Sequence, residues 1–331
     1  ARLVERLLED CPGLSVYGIG GDAMKRAGVR LAYHASELAV VGLVEVFGRL
    51  RTITRAFRSI KRSLSEERPD VVVLIDFPDF NLRVARHAAR RGIPVVYYIS
   101  PQIWAWRRSR VRQIAKDVTR MIVIFPFEEA LYHEHGVPVT YVGHPLMDRF
   151  DPDKVEEESQ DAHGRYGLSP LYPVLGLFPG SRASEVGTLL PIMLRGARRL
   201  HQRFPRMQFL LGQGPGLGDE VYREILEKTD IPLVCTREGI GPGTGICDLA
   251  LVASGTATLE MALLRIPMIV VYRVSRLTFF LGRLLVRVPV IGMVNLVSER
   301  AVVPELIQGE LTEQNLYQAC LPFFEYANYY T

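Results

Sequence analysis

The chain has 331 residues, 48% of them hydrophobic and 23% charged, a balance typical of folded soluble domains that excludes disordered, collagen-like and disulfide-scaffold classes. Its length is about twice an ordinary domain of ~100 to 150 residues, so two domains sharing one cleft are expected. Residues 1–150 carry 23 Lys and Arg against 16 Asp and Glu, and the remainder 17 against 20, so the first part is the one expected to face an anionic partner.

Residues 1–10 read as the latter part of an amphipathic helix stopped by Pro12 and Gly13, with more chain expected upstream. LSVYGIG follows as a strand, and Gly18-Ile19-Gly20-Gly21-Asp22-Ala23 nominally fits a dinucleotide-binding turn. No acid closes a second strand ~20 residues later, since Glu37 has neither context nor register, so no nicotinamide cofactor is expected. Residues 46–64 hold Arg49, Arg51, Arg55, Arg58, Lys61 and Arg62 with no acid, interleaved with Phe47, Leu50, Ile53, Phe57 and Ile60. That spacing predicts a helix able to lie on an anionic membrane surface, the alternative being a solvated surface helix.

The apolar run PDVVVLIDF ends on Asp76. A strand-end carboxylate, partly buried and aimed into a cleft, suits a general base acting on a hydroxyl; Asp79 and Asn81 read better as caps of the helix that follows. VVYYIS and MIVIF are further strands. Between them Trp104 and Trp106 precede Arg107, Arg108 and Arg110; Trp106 could hold a sugar face or sit buried in a loop. His144, in YVGHPLMD, either touches substrate or orders the crossover between domains. The polar stretch 151–167 is expected to be a linker between domains 1–150 and 168–331.

In the second block VLGLFPG, FLLG, LALVASG and MIVVY are strands, and alternation with helical stretches predicts an α/β protein with two parallel-sheet, Rossmann-like domains. After VLGLFPG, Ser181 and Arg182 open a helix whose free amides and fixed cation suit a diphosphate, unless Ser181 is only an N-cap. After LALVA, Ser254, Gly255 and Thr256 open another. One turn inside it Glu260 could accept a ribose diol or simply stabilise the helix end. The segment 276–288 is apolar with flanking arginines, either a core helix or the contact of a homodimer. Cys11, Cys235, Cys247 and Cys320 have no C-x-x-C spacing, so neither a zinc site nor a disulfide framework is implied, and a reducing cytosol is the expected compartment. No apolar run approaches the ~20 residues of a membrane span.

GIGGDAM with ELAVVGLVEVFGRL, PDVVVLIDFPDFN, YYISPQIWAW, IFPFEEALYHEHGVPVTYVGHPLMD, LFPGSRASEV, LALVASGTATLE and NLVSER, in this order, together resemble the lipid-A-disaccharide synthase family. The resemblance implies a GT-B glycosyltransferase fold and an inverting transfer, without metal or cofactor, of 2,3-diacylglucosamine from UDP to 2,3-diacylglucosamine 1-phosphate. It also implies peripheral attachment to the inner face of the inner membrane of Gram-negative bacteria, with no nucleic-acid partner. By the same resemblance Asp76 deprotonates the acceptor 6-hydroxyl; Arg182 and Glu185 (S-R-x-x-E), Ser254, Gly255, Thr256 and Glu260 (S-G-T-x-x-x-E) and Asn295 (in NLVSER) lie near the UDP. Family members begin with a strand and a G-E-x-S-G-D loop ahead of the first helix and extend beyond EYANYYT, so this sequence reads as a fragment with the N-terminal strand missing.

Overall fold

The computed structural model describes residues 1–35, 43–103, 110–148, 150, 152–214, 216–275, 278–280 and 290–325. The chain divides into two compact units, Ala1–Val142 and Gly143–Thr331, an earlier division than the expected linker. Residues 151–167 behave differently from expectation: Pro152–Tyr166 is a helix of the second unit. Its polarity is that of a solvated helical face. Ala162 is wholly buried, Ser159 Oγ donates to the carbonyl of Pro242 at 2.9 Å, and Tyr166 Oη donates to Glu238 at 3.0 Å.

In the first unit, strands β1 (Tyr17–Gly20) and β2 (Arg30–His34) form a parallel pair. Strands β3 (Val72–Ile75), β4 (Val95–Tyr98), β5 (Arg120–Val123) and β6 (Val139–Tyr141) form a separate parallel sheet in that order. Leu74, Val95, Tyr97, Met121 and Val123 meet Phe80, Val84, Ala85 and Ala88 of helix Pro78–Ala89. The same core takes Ala56, Ile60 and Leu64 from helix Leu43–Glu66. Burial on both faces, expected for VVVLI, is not found: Val73 and Ile75 are exposed. Among the described residues β3 pairs only with β4, so one flank and much of its surface lack a described neighbour.

The second unit holds six parallel strands in the order β12-β11-β10-β7-β8-β9: β7 (Val174–Phe178), β8 (Gln208–Gly212), β9 (Leu233–Thr236), β10 (Leu249–Ala253), β11 (Met268–Tyr272) and β12 (Glu305–Ile307). β7 and β10 are buried at every residue. Leu175, Leu177, Leu249 and Leu251 face Val186, Leu189, Leu190 and Met193 of helix Ala183–Arg203, while Val174, Phe178, Ala250 and Val252 face Met261, Leu264 and Val294. Such continuous runs are what a central parallel strand needs when both faces are covered. The chain runs outward from β7 through β8 to β9, then returns to lay β10 on the other side of β7. The carboxyl ends of β7 and β10 therefore flank a topological switch point, where open α/β sheets form their ligand crevice.

Candidate functional site

The two helix starts singled out in the sequence follow these two neighbouring strands. Beyond β7 the chain turns at Gly180, whose φ of +107° disfavours other residues, and an added Cβ there would strike the Glu185 carboxylate. Glu185 Oε2 accepts the amides of Ser181 (3.2 Å) and Arg182 (3.3 Å), and Arg182 Nη1 donates to Oε1 at 2.8 Å. The expected open amides at Ser181 and Arg182 are thus taken by the protein's own acid. The helix begins at Ala183 with Arg182 as its N-cap, so Ser181 does not cap it; an acid three residues past the cap folds back in capping-box geometry. What this loop offers a ligand is the Arg182 side chain, 73% exposed. Tyr272, at the end of β11, feels the same pair: burial and the Glu185 charge push its phenol up while Arg182 pulls it down, so it remains a neutral donor at ordinary pH.

Gly214, just beyond β8, presses on this loop. An added Cβ would lie 2.8 Å from the Gly180 carbonyl oxygen and 2.9 Å from Ser181 Cα, so the glycine is what lets the two loops approach. The signal for it was present in the Gly-Gln-Gly-Pro-Gly run after FLL, but no chemistry marked it.

Beyond β10, Ser254 is half-buried and its Oγ donates to the Ile291 carbonyl at 3.0 Å. No acceptor for the amides of Gly255 and Thr256 stands among the described residues, and helix Ala257–Leu263 begins directly after them. Glu260 is half-buried inside that helix. Adjacent strands lie ~4.8 Å apart, so the Arg182 loop and the two open amides are neighbours at one edge of the sheet.

Asn295 is placed differently from its expected position beside a ligand. It is wholly buried. Its Nδ2 donates to the Val303 carbonyl (2.9 Å) and to Glu305 Oε1 (2.7 Å), while Oδ1 accepts the amides of Val302 (2.8 Å) and Val303 (3.0 Å). Four bonds saturate a carboxamide. Glu305 also accepts the amides of Ile291 and Gly292, each at 2.9 Å. Asn295 and Glu305 together brace the segment that receives Ser254, a role for Glu305 that no motif announced.

In the first unit Asp76 directly follows β3 and is exposed, not partly buried, since no described residue covers this end of the strand. No partner for its carboxylate stands among the described residues. The backbone at Asp76 (φ +46°) and Phe77 (φ +46°) is left-handed, and the Asp76 carbonyl accepts Tyr97 Oη and Asn81 Nδ2, each at 2.7 Å. Phe77 is the N-cap residue of helix Pro78–Ala89, with no side-chain cap. Asp79 does not cap either; it pairs with Arg110.

His144 belongs to the second unit and is half-buried; Nδ1 accepts the Leu146 amide at 3.1 Å and burial lowers its pKa, so the neutral ring orders the turn before the short helix Pro145–Asp148. Trp104 and Trp106 lie outside the described residues, as does most of 276–288. In helix Leu43–Glu66 the apolar stripe is not available to a membrane over residues 53–64: Ala56, Ile60 and Leu64 are core, with Ile53 and Phe57 packed on it. Arg55, Arg58 and Arg62 are exposed and Lys61 lies over the Phe57 ring at 5.7 Å. The side chains of Arg49 and Arg51 are outside the described set. Among the described residues no helix is long and apolar enough to cross a membrane.

Residues 1–328 match the family model described as Lipid-A-disaccharide synthetase. The lipid-A-disaccharide synthase of Geobacter metallireducens is 45% identical over 316 residues, 96% of this chain and 82% of that protein. Among solved structures, the UDP-GlcNAc 2-epimerase of Neisseria meningitidis bound to UDP-GlcNAc superposes with a TM-score of 0.57 at 13% identity, covering 96% of this chain and 93% of that one. The calicheamicin glycosyltransferase CalG4 gives 0.56 at 18% identity, covering 96% and 83%. At such identities the structural likeness establishes the fold, that of GT-B glycosyltransferases and epimerases.

Proposed function

The chain belongs to the lipid-A-disaccharide synthetase family and is a glycosyltransferase of lipid A biosynthesis, and from that premise we propose that it transfers 2,3-diacylglucosamine from UDP to the 6-hydroxyl of 2,3-diacylglucosamine 1-phosphate. Asp76 takes the hydroxyl proton as the oxygen attacks the anomeric carbon. The bond from that carbon to the diphosphate breaks on the opposite face, giving a β-1,6 linkage and UDP; the proton then passes from Asp76 to water. The second unit carries the nucleotide. Gly255 and Thr256 amides receive diphosphate oxygens, Arg182 neutralises charge that grows as UDP leaves, and Glu260 accepts the ribose diol.

The observation that carries this reading is the pairing of two open amides with an exposed arginine at the switch point of the six-stranded sheet. Ser181 and Glu185 serve the site by shaping the Arg182 loop, and Asn295 by bracing the segment behind Ser254. Arg182→Ala is expected to weaken UDP binding about tenfold, the effect of one solvent-screened, charge-assisted contact, and titration calorimetry with UDP measures it. An unchanged affinity counts against this seat for the nucleotide. A UDP-sugar 2-epimerase, the other reading the fold allows, would isomerise its sugar with no lipid acceptor; UDP release strictly dependent on the acylated acceptor separates the two.

Over residues 53–64 the first unit meets the membrane through charge. Arg55, Arg58 and Arg62 attract an anionic surface, while the core burial of Ala56, Ile60 and Leu64 keeps that stretch from inserting. Flotation with phosphatidylglycerol vesicles is expected to recover the protein at low salt and lose it progressively toward 0.5 M salt, where the Debye length falls from ~8 Å at physiological ionic strength to about half that. Equal recovery on phosphatidylcholine vesicles would show that charge is not the cause.

A further inference from the structure

Asp76 stands on backbone that should not persist unaided. Asp76 and Phe77 are consecutive non-glycine residues with φ of +46°, and such residues remain left-handed only where their surroundings over-determine them. Here the surroundings are identifiable. The Asp76 carbonyl accepts Tyr97 Oη from the neighbouring strand β4 and Asn81 Nδ2 from the first turns of the following helix, both at 2.7 Å. The same Asn81 carboxamide also reaches the Ile75 carbonyl at 3.0 Å. The Asp76 amide donates to the Tyr98 carbonyl at 3.1 Å, and the Phe77 ring stacks on Phe80 at 5.6 Å between centroids.

The strained turn does no capping work, since the helix after it has no side-chain cap, and its acid engages no partner among the described residues. Tyr97 is wholly buried, and its phenol is pushed far up by burial and by the Asp76 charge, which keeps it a donor at every working pH. A buried hydroxyl and a carboxamide therefore converge on one backbone oxygen, at a residue whose side chain has no partner among the described residues.

We propose that Tyr97 and Asn81 are positioning residues which clamp the Asp76 carbonyl and so hold the general base at a fixed angle for the transfer. This rests on the reading of Asp76 as the base. With the clamp intact the carboxylate samples few orientations; without it the turn relaxes toward ordinary backbone and the carboxylate swings with it, a misplacement that lowers reaction rate more than substrate affinity.

The test is a double-mutant cycle on the purified protein, following UDP release with both acylated substrates. Tyr97→Phe keeps the buried ring and deletes one donor; Asn81→Asp keeps the shape and deletes the other. Each is expected to lower kcat about tenfold with KM for both substrates within twofold. Each is also expected to add no loss when combined with Asp76→Asn, because the group being aimed is already gone. A merely structural role would cost the same factor in both backgrounds, and that result overturns the clamp. So does a kcat within twofold of wild type for either single variant. If Tyr97→Phe proves unstable, Asn81→Asp at the protein surface carries the same comparison. Should Asp76→Asn alone retain wild-type kcat, it is the base assignment that fails.

Discussion

Replacing Asp76 with Asn is expected to lower kcat by about a hundred- to ten-thousandfold, the usual contribution of a positioned general base, while UDP affinity and thermal midpoint stay where they are. Asparagine is the informative substitution. It tolerates left-handed backbone at least as well as aspartate, so the turn at φ +46° and its bonds to Tyr97 and Asn81 persist. Because the carboxylate is exposed and no partner for it stands among the described residues, its loss costs the fold within about 0.5 kcal/mol. Initial rates of UDP release, calorimetric titration of UDP and a melting curve check the three parts separately. A variant that keeps most of its rate ends the assignment; one that melts early shows that the side chain holds the fold.

Asn295→Ala is expected to do the reverse. Removing the carboxamide takes this partner from the amides of Val302 and Val303 and from the carbonyl of Val303, while Glu305 Oε1 loses one donor and keeps the Gly292 amide. An unsatisfied buried group costs about 1–3 kcal/mol; Val302 is exposed and Val303 half-buried, so water relieves part of this and a total of about 2–4 kcal/mol follows. A melting midpoint lowered by roughly 4–16 °C is then expected, at 2–4 °C per kcal/mol for a domain of this size. Folded protein should still bind UDP with an affinity within about threefold, since Asn295 spends all its hydrogen-bonding capacity on Val302, Val303 and Glu305. Differential scanning calorimetry with a UDP titration below the transition separates this from a direct contact, for which affinity would collapse and the midpoint without ligand would hold.

These two residues show how unevenly the site could be read from the chain. Asp76 ends an apolar run, and a strand-end acid in an α/β protein faces the ligand edge whatever the rest of the fold does. Its exposure could not be anticipated, because VVVLI looks the same in a central strand as at an edge. Asn295 sits in a motif, and a motif names a place without saying whether the side chain meets a ligand or the loop behind it. The same holds for Glu185, whose spacing from Arg182 fits a nucleotide signature and a capping box equally well; only the folded turn shows the carboxylate seated on the amides of Ser181 and Arg182.

Local periodicity was enough for the eight apolar runs that became β1, β3, β4, β5, β7, β8, β10 and β11, for an α/β architecture, and for the two helix starts that the sheet brings side by side. Strands β2 (RLAYH), β6 (VTY), β9 (LVCT) and β12 (ELI) lack a continuous apolar run and so do not stand out. What neighbours decide was not in the chain: that Pro152–Tyr166 is a helix packed on the second unit, that the apolar stripe over residues 53–64 faces a core instead of a lipid surface, and that a left-handed turn is held by a tyrosine from the next strand. The spacing of apolar residues declares that a face must be covered, because exposed hydrocarbon costs free energy wherever it lies. Which surface covers it depends on contacts between residues distant in sequence.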